Sequence, residues 1–220
     1  VQEEIVRILD KFTALEAELE AELEAELEAR KKQYEYYRDL LLTFDDSVPI
    51  MALGKICKNV SSGGTPATSR TDFYNGNIPW LRTQEVDWRD ILDTEIKITR
   101  AGFDNCSAKW IPENCVIVAM YGATAAKVAI NKIPLTTNQA CCNLEIDASK
   151  ALYRYVFHWL SKQYLTLKAM GQGSQSNING RIIKGFKIPL PPLSEQQRIV
   201  DILDRFDTLV NDLTSGLPAE

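Results

Sequence analysis

The 220 residues contain one histidine, His158, set between Phe157 and Trp159 in a helical stretch where it reads as a packed side chain. Without a second imidazole, catalytic triads, histidine-rich metal centres and Cys-His pairs drop out. The five cysteines, Cys57, Cys106, Cys115, Cys141 and Cys142, are odd in number and form no Cys-x-x-Cys pair. They read as reduced, mostly buried thiols rather than a disulfide framework or a zinc site. Long apolar runs are missing too. The longest, such as Val116 to Met120, fall far short of the ~20 residues that a membrane helix needs. Val1 opens directly into a charged helix with no signal-peptide pattern, so a soluble, cytoplasmic protein is expected. No Gly-x-Gly-x-x-Gly or Asn-Pro-Pro-aromatic segment is present. Gly122 to Lys127 (GATAAK) lacks the second glycine and the following Ser or Thr of a phosphate loop, and reads as a hairpin turn. The chain is therefore expected not to be an enzyme and to hold neither metal nor cofactor of its own.

Glycine and proline are absent from Val1 to Phe44, where Ala, Leu and Glu dominate. One long helix is expected, reaching roughly 65 Å at about 1.5 Å per residue. Its opening phrase, QEEIVRILDKFTAL (2 to 15), returns near the other end as QQRIVDILDRFDTL (196 to 209). Both carry apolar residues at i, i+3, i+4 and i+7, the pattern of a helix that buries one face. Ile5, Leu9 and Phe12 in the first copy match Ile199, Leu203 and Phe206 in the second. Between Leu15 and Ala29 the tetrad Leu-Glu-Ala-Glu repeats, placing Leu15, Leu19, Leu23 and Leu27 every fourth residue. Each step of four advances about 400°, so the leucine stripe drifts about 40° per copy instead of forming a plain heptad seam.

Charge is divided along the chain. Residues 1 to 46 carry a net −8, residues 47 to 193 a net +7 and residues 194 to 220 a net −4. A basic middle between acidic helical ends is the asymmetry of a protein that meets a polyanion with one part and protein with the other. In the middle, short β-rich runs alternate with turn signals at Gly63-Gly64-Thr65-Pro66, Asn75-Gly76 and Tyr121-Gly122. Residues 148 to 169 regain helical periodicity, and IIKGFKIPL (182 to 190) reads as a short apolar strand. Ser194, with Gln197 three residues on, forms a capping-box pattern for the last helix.

Polar side chains gather on the glycine-rich loops of this middle. Ser62, Gly64, Thr65, Ser69 and Arg70 form one group, and Arg82, Thr83 and Gln84 a second. Tyr121 and Lys127 flank the hairpin turn, beside Asn138 and Gln139. Gln172, Ser174, Gln175, Asn177, Asn179, Arg181 and Lys184 make up the last group. Asn and Gln pair bidentately with adenine, Arg with guanine, and Ser or Thr with either, so these residue types suit the reading of base edges. Lys127, Lys132, Lys184 and Lys187 suit phosphates.

Several segments together resemble the specificity subunits of Type I restriction-modification systems: GGTPATSRTDFYNGNIPWLRTQEV (63 to 86), KWIPENCVIVAMYGAT (109 to 124), TTNQACCNLEI (136 to 146), GQGSQSNINGRIIKGFKIPLPPLSEQQRIVDILD (171 to 204) and KKQYEYYRDLLLTF (31 to 44). The resemblance implies an α+β fold in which a mixed target recognition domain is flanked by long conserved helices forming an antiparallel pair or coiled coil. The expected boundaries are 1-46 for a spacer and dimerisation helix, 47-193 for the recognition domain and 194-220 for the second conserved helix. Members normally carry two recognition domains; one is visible here, in a half-size form. The resemblance further implies a DNA-reading adaptor that docks methyltransferase subunits and sometimes a restriction subunit. S-adenosylmethionine would sit on the methyltransferase, which methylates adenine N6. Two copies would pair as a homodimer on double-stranded DNA, with the Leu-Glu-Ala-Glu repeats as a ruler between half-sites. The alternative is a helical scaffold or decoy that binds methyltransferase subunits without reading DNA.

Overall fold

The computed structural model describes residues 2–171 and 177–211, the last three by backbone alone. The elements run α1 (Gln2–Leu41), β1 (Ile50–Ala52), β2 (Cys57–Ser62), β3 (Tyr74–Leu81), β4 (Asp90–Ile91) and β5 (Lys97–Ile98). They continue with α2 (Arg100–Asp104), β6 (Trp110–Ile111), β7 (Val116–Ala119), β8 (Val128–Asn131), β9 (Leu135–Thr137) and β10 (Cys141–Ile146). The last are α3 (Tyr153–Lys162), α4 (Tyr164–Ala169), α5 (Gly180–Gly185), β11 (Lys187–Pro189) and α6 (Leu193–Asn211). The chain divides into a helical unit, Val1–Thr43 with Asp201–Glu220, and a sheet unit, Phe44–Val200. This is the expected α+β combination of a long helix with a mixed, sheet-containing domain.

In the helical unit, α1 is continuous, as its lack of glycine and proline requires. Glu26–Arg30 and Glu28–Lys32 pairs at i, i+4, both 2.7 Å, run with the acid N-terminal, the favourable order against the helix dipole. The helix stops where Thr43 donates to the Asp39 carbonyl at 2.6 Å and Asp45 turns the chain by accepting from the Ser47 N–H at 2.9 Å. No residue of α1 itself is buried. Ile5, Leu9, Phe12, Leu15, Leu19 and Leu23 are all exposed, Phe12 at 66% and Leu15 at 61%. Only toward its end does α1 meet cover: Leu27 is half-buried, and the rings of Tyr37 and Phe206 stack with centroids 5.1 Å apart.

In the sheet unit, a five-stranded sheet of order β2-β10-β7-β8-β4 faces a four-stranded sheet of order β5-β3-β9-β6, and β1 pairs with β11. Successive strand residues point to opposite faces, and both faces of the central strands are apolar. Ile117, Ala119, Ala129 and Cys141 pack with Leu81 and Leu135 of the smaller sheet. Val116, Val118, Val128 and Ile130 are equally buried on the other face, where α3 packs on β7 and β8. His158 lies wholly buried on α3 against the Phe157 ring, as a packed residue.

Four local expectations change. Asn75-Gly76 does not turn a hairpin but sits inside β3, at the irregularity between Tyr74 and Ile78, with Asn75 at φ 59°. Its left-handed conformation is one asparagine tolerates, and it serves as a bulge. The segment 182 to 190 is half helix: α5 takes Ile182 and Ile183, and the strand starts only at Lys187. The 148 to 169 region is two helices broken at Gln163. Ser194 lies within the first turn of α6, which begins at Leu193 directly after Pro191-Pro192; the Pro192 carbonyl accepts from the Glu195 and Gln196 N–H groups at 2.9 and 3.0 Å and closes that turn. No helix among the described residues is long and apolar enough to cross a membrane.

Candidate nucleic-acid interface

Strand register brings the polar loops to one end of the larger sheet. Cys142 pairs with Ser62, Cys141 with Ala119 and Val118 with Val128, so the end of β2, the start of β10, the end of β7 and the start of β8 are level. β4 runs parallel to β8, which brings the 82–89 loop to the same end. The parallel pair β3–β9 ends there too, with Leu81 beside Thr137. Asn138 N–H donates to the Leu81 carbonyl at 2.9 Å, and Gly64 N–H to the Thr137 carbonyl at 3.0 Å. The stretch after α4 joins them where Ile178 N–H donates to the Met120 carbonyl at 3.0 Å. Loops scattered over more than a hundred residues of chain thus share one edge.

Within that edge the nominated side chains play unequal parts. Ser62, Gln84 and Tyr121 are exposed, Tyr121 at 41%; Ser69 is exposed too, but further along the chain toward the start of β3. Thr65 donates its hydroxyl to the Gln139 side-chain carbonyl, tying two loops together. Asn138 accepts the Ala140 N–H at 3.1 Å. Lys127 reaches Asp87 at 2.6 Å. Arg70 precedes the start of β3, at the strand end opposite Leu81, and makes two hydrogen bonds to Asp72 that hold that carboxyl below the usual carboxylate range.

Other nominated residues make contacts within the fold or lie away from this edge. Gly64 is buried, with its carbonyl taken by the Trp80 indole N–H at 2.9 Å. A side chain on Gly64 would collide with Ser107 and Ala108. Thr83 is buried, and its carbonyl accepts the Thr124 hydroxyl at 2.7 Å. Arg82 is drawn into an internal ion-pair network, donating to Glu95 at 2.8 Å with its Nε 3.8 Å from buried Glu85. The Asn179 side chain accepts from the N–H groups of Arg181 and Ile182, each at 3.0 Å, and caps α5. Lys184 lies at the far end of the sheet: its Cβ packs beside Gly54, in the turn that precedes β2. Lys132 follows the far end of β8. Arg181 is exposed on α5, and Lys187 on β11. Asn177 is half-buried, with a side-chain oxygen that meets no donor among the described residues. Gln172, Ser174 and Gln175 lie outside the described residues. Of the helix residues, Ile199 and Leu203 are fully buried, and are therefore unavailable to a second copy.

Sequence reasoning missed several residues of this edge. Asn143, buried on β10, donates to the Thr137 hydroxyl at 2.9 Å and ties the two sheets together; a lone amide in the apolar run CCNLEI was its one visible signal. Trp88, Tyr164 and Lys168 belong to segments that read as ordinary loop and helix. Among the described residues no group of His, Cys, Asp and Glu is placed to hold a metal ion.

Known proteins share this architecture. The chain is 41% identical over 228 residues to the EcoR124I/EcoR124II specificity subunit of Escherichia coli, a match covering 100% of this chain and 55% of that protein. It is 34% identical over 230 residues to a putative Type I restriction enzyme specificity subunit of Haemophilus influenzae, covering 99% of this chain and 56% of the relative. It therefore spans about half the length of each. Among solved structures, the HsdS subunit from Thermoanaerobacter tengcongensis superposes with a TM-score of 0.64 at 21% identity, over 97% of this chain and 53% of that one. A chain from a type I R-M system studied for its complex assembly superposes with a TM-score of 0.67 at 20% identity, over 96% and 53%. Residues 46–220 match the family described as the Type I restriction modification DNA specificity domain. The match of residues 46–220 to this family, with 41% identity to a specificity subunit across the whole of this chain, places it in the Type I restriction-modification specificity subunit family.

Proposed function

We propose that this chain is a non-catalytic DNA-recognition subunit whose sheet domain reads one short half-site in double-stranded DNA. The observation that carries the reading is the convergence of residues 62–65 and the 82–89, 120–127 and 137–140 loops on one edge of a domain with net charge +7 over residues 47 to 193. Phosphate contacts from lysines orient such a domain, and short amide and hydroxyl side chains read base edges in the major groove. The domain boundaries follow from this division of labour: 1-46 as spacer helix, 47-193 as reader and 194-220 as second helix.

The exposed stripe Ile5–Leu23 supports the second half of the proposal, that two copies pair through α1. A helix with a continuous apolar face and no buried residue is marginal alone, and most helical stability in proteins comes from packing such a face. A twofold homodimer presents two identical, oppositely directed readers, hence a bipartite palindromic site. The helices also dock methyltransferase subunits, which carry S-adenosylmethionine and methylate adenine N6; a restriction subunit joins in systems that cut. The test is selection from a randomised duplex pool by the chain with its methyltransferase partner. Enrichment of an interrupted motif supports the reading. Capture of the methyltransferase with no sequence preference identifies a helical scaffold instead.

A further inference from the structure

An aromatic and cationic row runs from the reading edge onto α4. Trp88 adopts φ 48°, a left-handed conformation rare for a bulky side chain. Such strain persists where the surroundings over-determine it, commonly at functional positions. The Trp88 N–H donates to the Val128 carbonyl at 2.8 Å, at the start of β8 and so on the reading edge. Its ring lies 4.3 Å from the Lys127 ammonium and meets the Tyr164 ring edge-on, with centroids 5.2 Å apart at 78°. Tyr164 and Lys168 stand at i, i+4 on one face of α4, and Lys168 donates to the Tyr164 hydroxyl at 2.8 Å.

The two ammonium groups differ. Lys127 is matched by Asp87, whereas Lys168 meets only the Tyr164 hydroxyl and ring among the described residues. The chain leaving α4 turns at Gly171, whose N–H donates to the Lys168 carbonyl at 3.0 Å, and rejoins the reading edge at Ile178. A Lys ammonium is a point charge with rotatable donors, suited to a phosphate oxygen and poorly suited to the fixed pattern of a base edge. A tyrosine hydroxyl that accepts from the lysine keeps its own proton for a second phosphate oxygen.

We propose that Tyr164 and Lys168, braced by Trp88, clamp a DNA phosphate beside the half-site, giving α4 a share of affinity that carries no base preference. This rests on the DNA-reading function above. The test uses the full chain with its methyltransferase partner on two duplexes of equal length, one selected from the randomised pool and one scrambled. Lys168→Gln is expected to weaken binding to both by the same factor, roughly three- to tenfold, and to reduce the slope of log affinity against log salt by about 0.9. Lys168→Arg is expected to restore the slope. Tyr164→Phe, which keeps the ring against Trp88, is expected to weaken both duplexes equally. An unchanged slope in Lys168→Gln overturns the clamp, as does a loss confined to the selected duplex, which would make Lys168 a base reader. A loss of methyltransferase capture with DNA binding intact overturns it in favour of a protein contact. A wild-type complex that prefers neither duplex defeats the sequence-reading function instead, and the salt slope still reports on the clamp.

Discussion

The Thr137 carbonyl occupies the space into which a side chain on Gly63 would grow. The end of β9 and the loop after β2 meet backbone to backbone there, and Gly64 N–H bonds to that same carbonyl at 3.0 Å. A backbone carbonyl cannot swing aside as a flexible side chain can. Gly63→Ala is therefore expected to destabilise the sheet unit by about 1–3 kcal/mol, the usual cost of overpacking. A urea denaturation midpoint checks it, and an unshifted midpoint would mean the two loops part freely.

Glu85 and Glu95 both face Arg82 and are expected to behave differently. Glu85 is buried, accepting from the Arg82 N–H at 3.2 Å and the Glu95 N–H at 2.9 Å. Glu85→Gln turns one of those acceptors into a donor, at a cost of about 1–3 kcal/mol. The Glu95 side chain is mostly exposed, so Glu95→Gln is expected to cost under about 1 kcal/mol despite its 2.8 Å ion pair. Equal losses in the two variants would contradict this division.

Burial pushes the Cys57 thiol up to about 11 and those of Cys115 and Cys142 up to about 12. The folded state thus holds protons that the unfolded chain releases near its ordinary thiol pKa. The resulting stabilisation is complete below about pH 8.5 and is lost as pH rises through 11 to 12. At pH 8 these three thiols are expected to resist iodoacetamide in the folded chain and to react after urea unfolding, read by mass spectrometry.

Phe12 and Leu15 lie on the open stripe of α1, and each buries about 1.5–3 kcal/mol worth of side chain when covered. Phe12→Asp with Leu15→Asp is expected to convert a dimer to a monomer in sedimentation, with the thermal midpoint of the sheet unit unchanged. A variant that still dimerises would move the interface elsewhere.

Deleting one tetrad, Leu19 to Glu22, removes about 6 Å of α1 without breaking its helix. The spacer between half-sites is expected to shrink by about one or two base pairs at ~3.4 Å each, while the half-site bases stay the same. Sequencing of the selected duplexes checks both.

The helix of residues 2 to 41, the hairpin of β7 and β8 and the packed His158 were legible because each rests on local sequence: composition, period and a turn signal. The shared loop edge was legible only in its parts. Nothing near Ser62 announces that β2 pairs with β10 across some eighty residues, and nothing near Leu81 announces a parallel partner in β9. Polar residue type also failed to separate readers from braces. Arg82 and Asn179 have the chemistry to touch bases, but Glu85, three residues on, and the more distant Glu95 claim one and a local helix cap claims the other. Gln196 shows the same effect in the repeated phrase. Its side chain accepts from Leu152 N–H at 2.9 Å and donates to the Pro191 carbonyl at 2.9 Å, while its counterpart Gln2 is exposed.

Mapping adenine methylation across the genome of cells that express this chain with its methyltransferase partner tests the DNA-reading dimer most directly. The expected result is one interrupted motif whose two halves are inverted copies of each other, methylated on both strands. An asymmetric motif would contradict the homodimer, and methylation without any motif would contradict DNA reading by this chain.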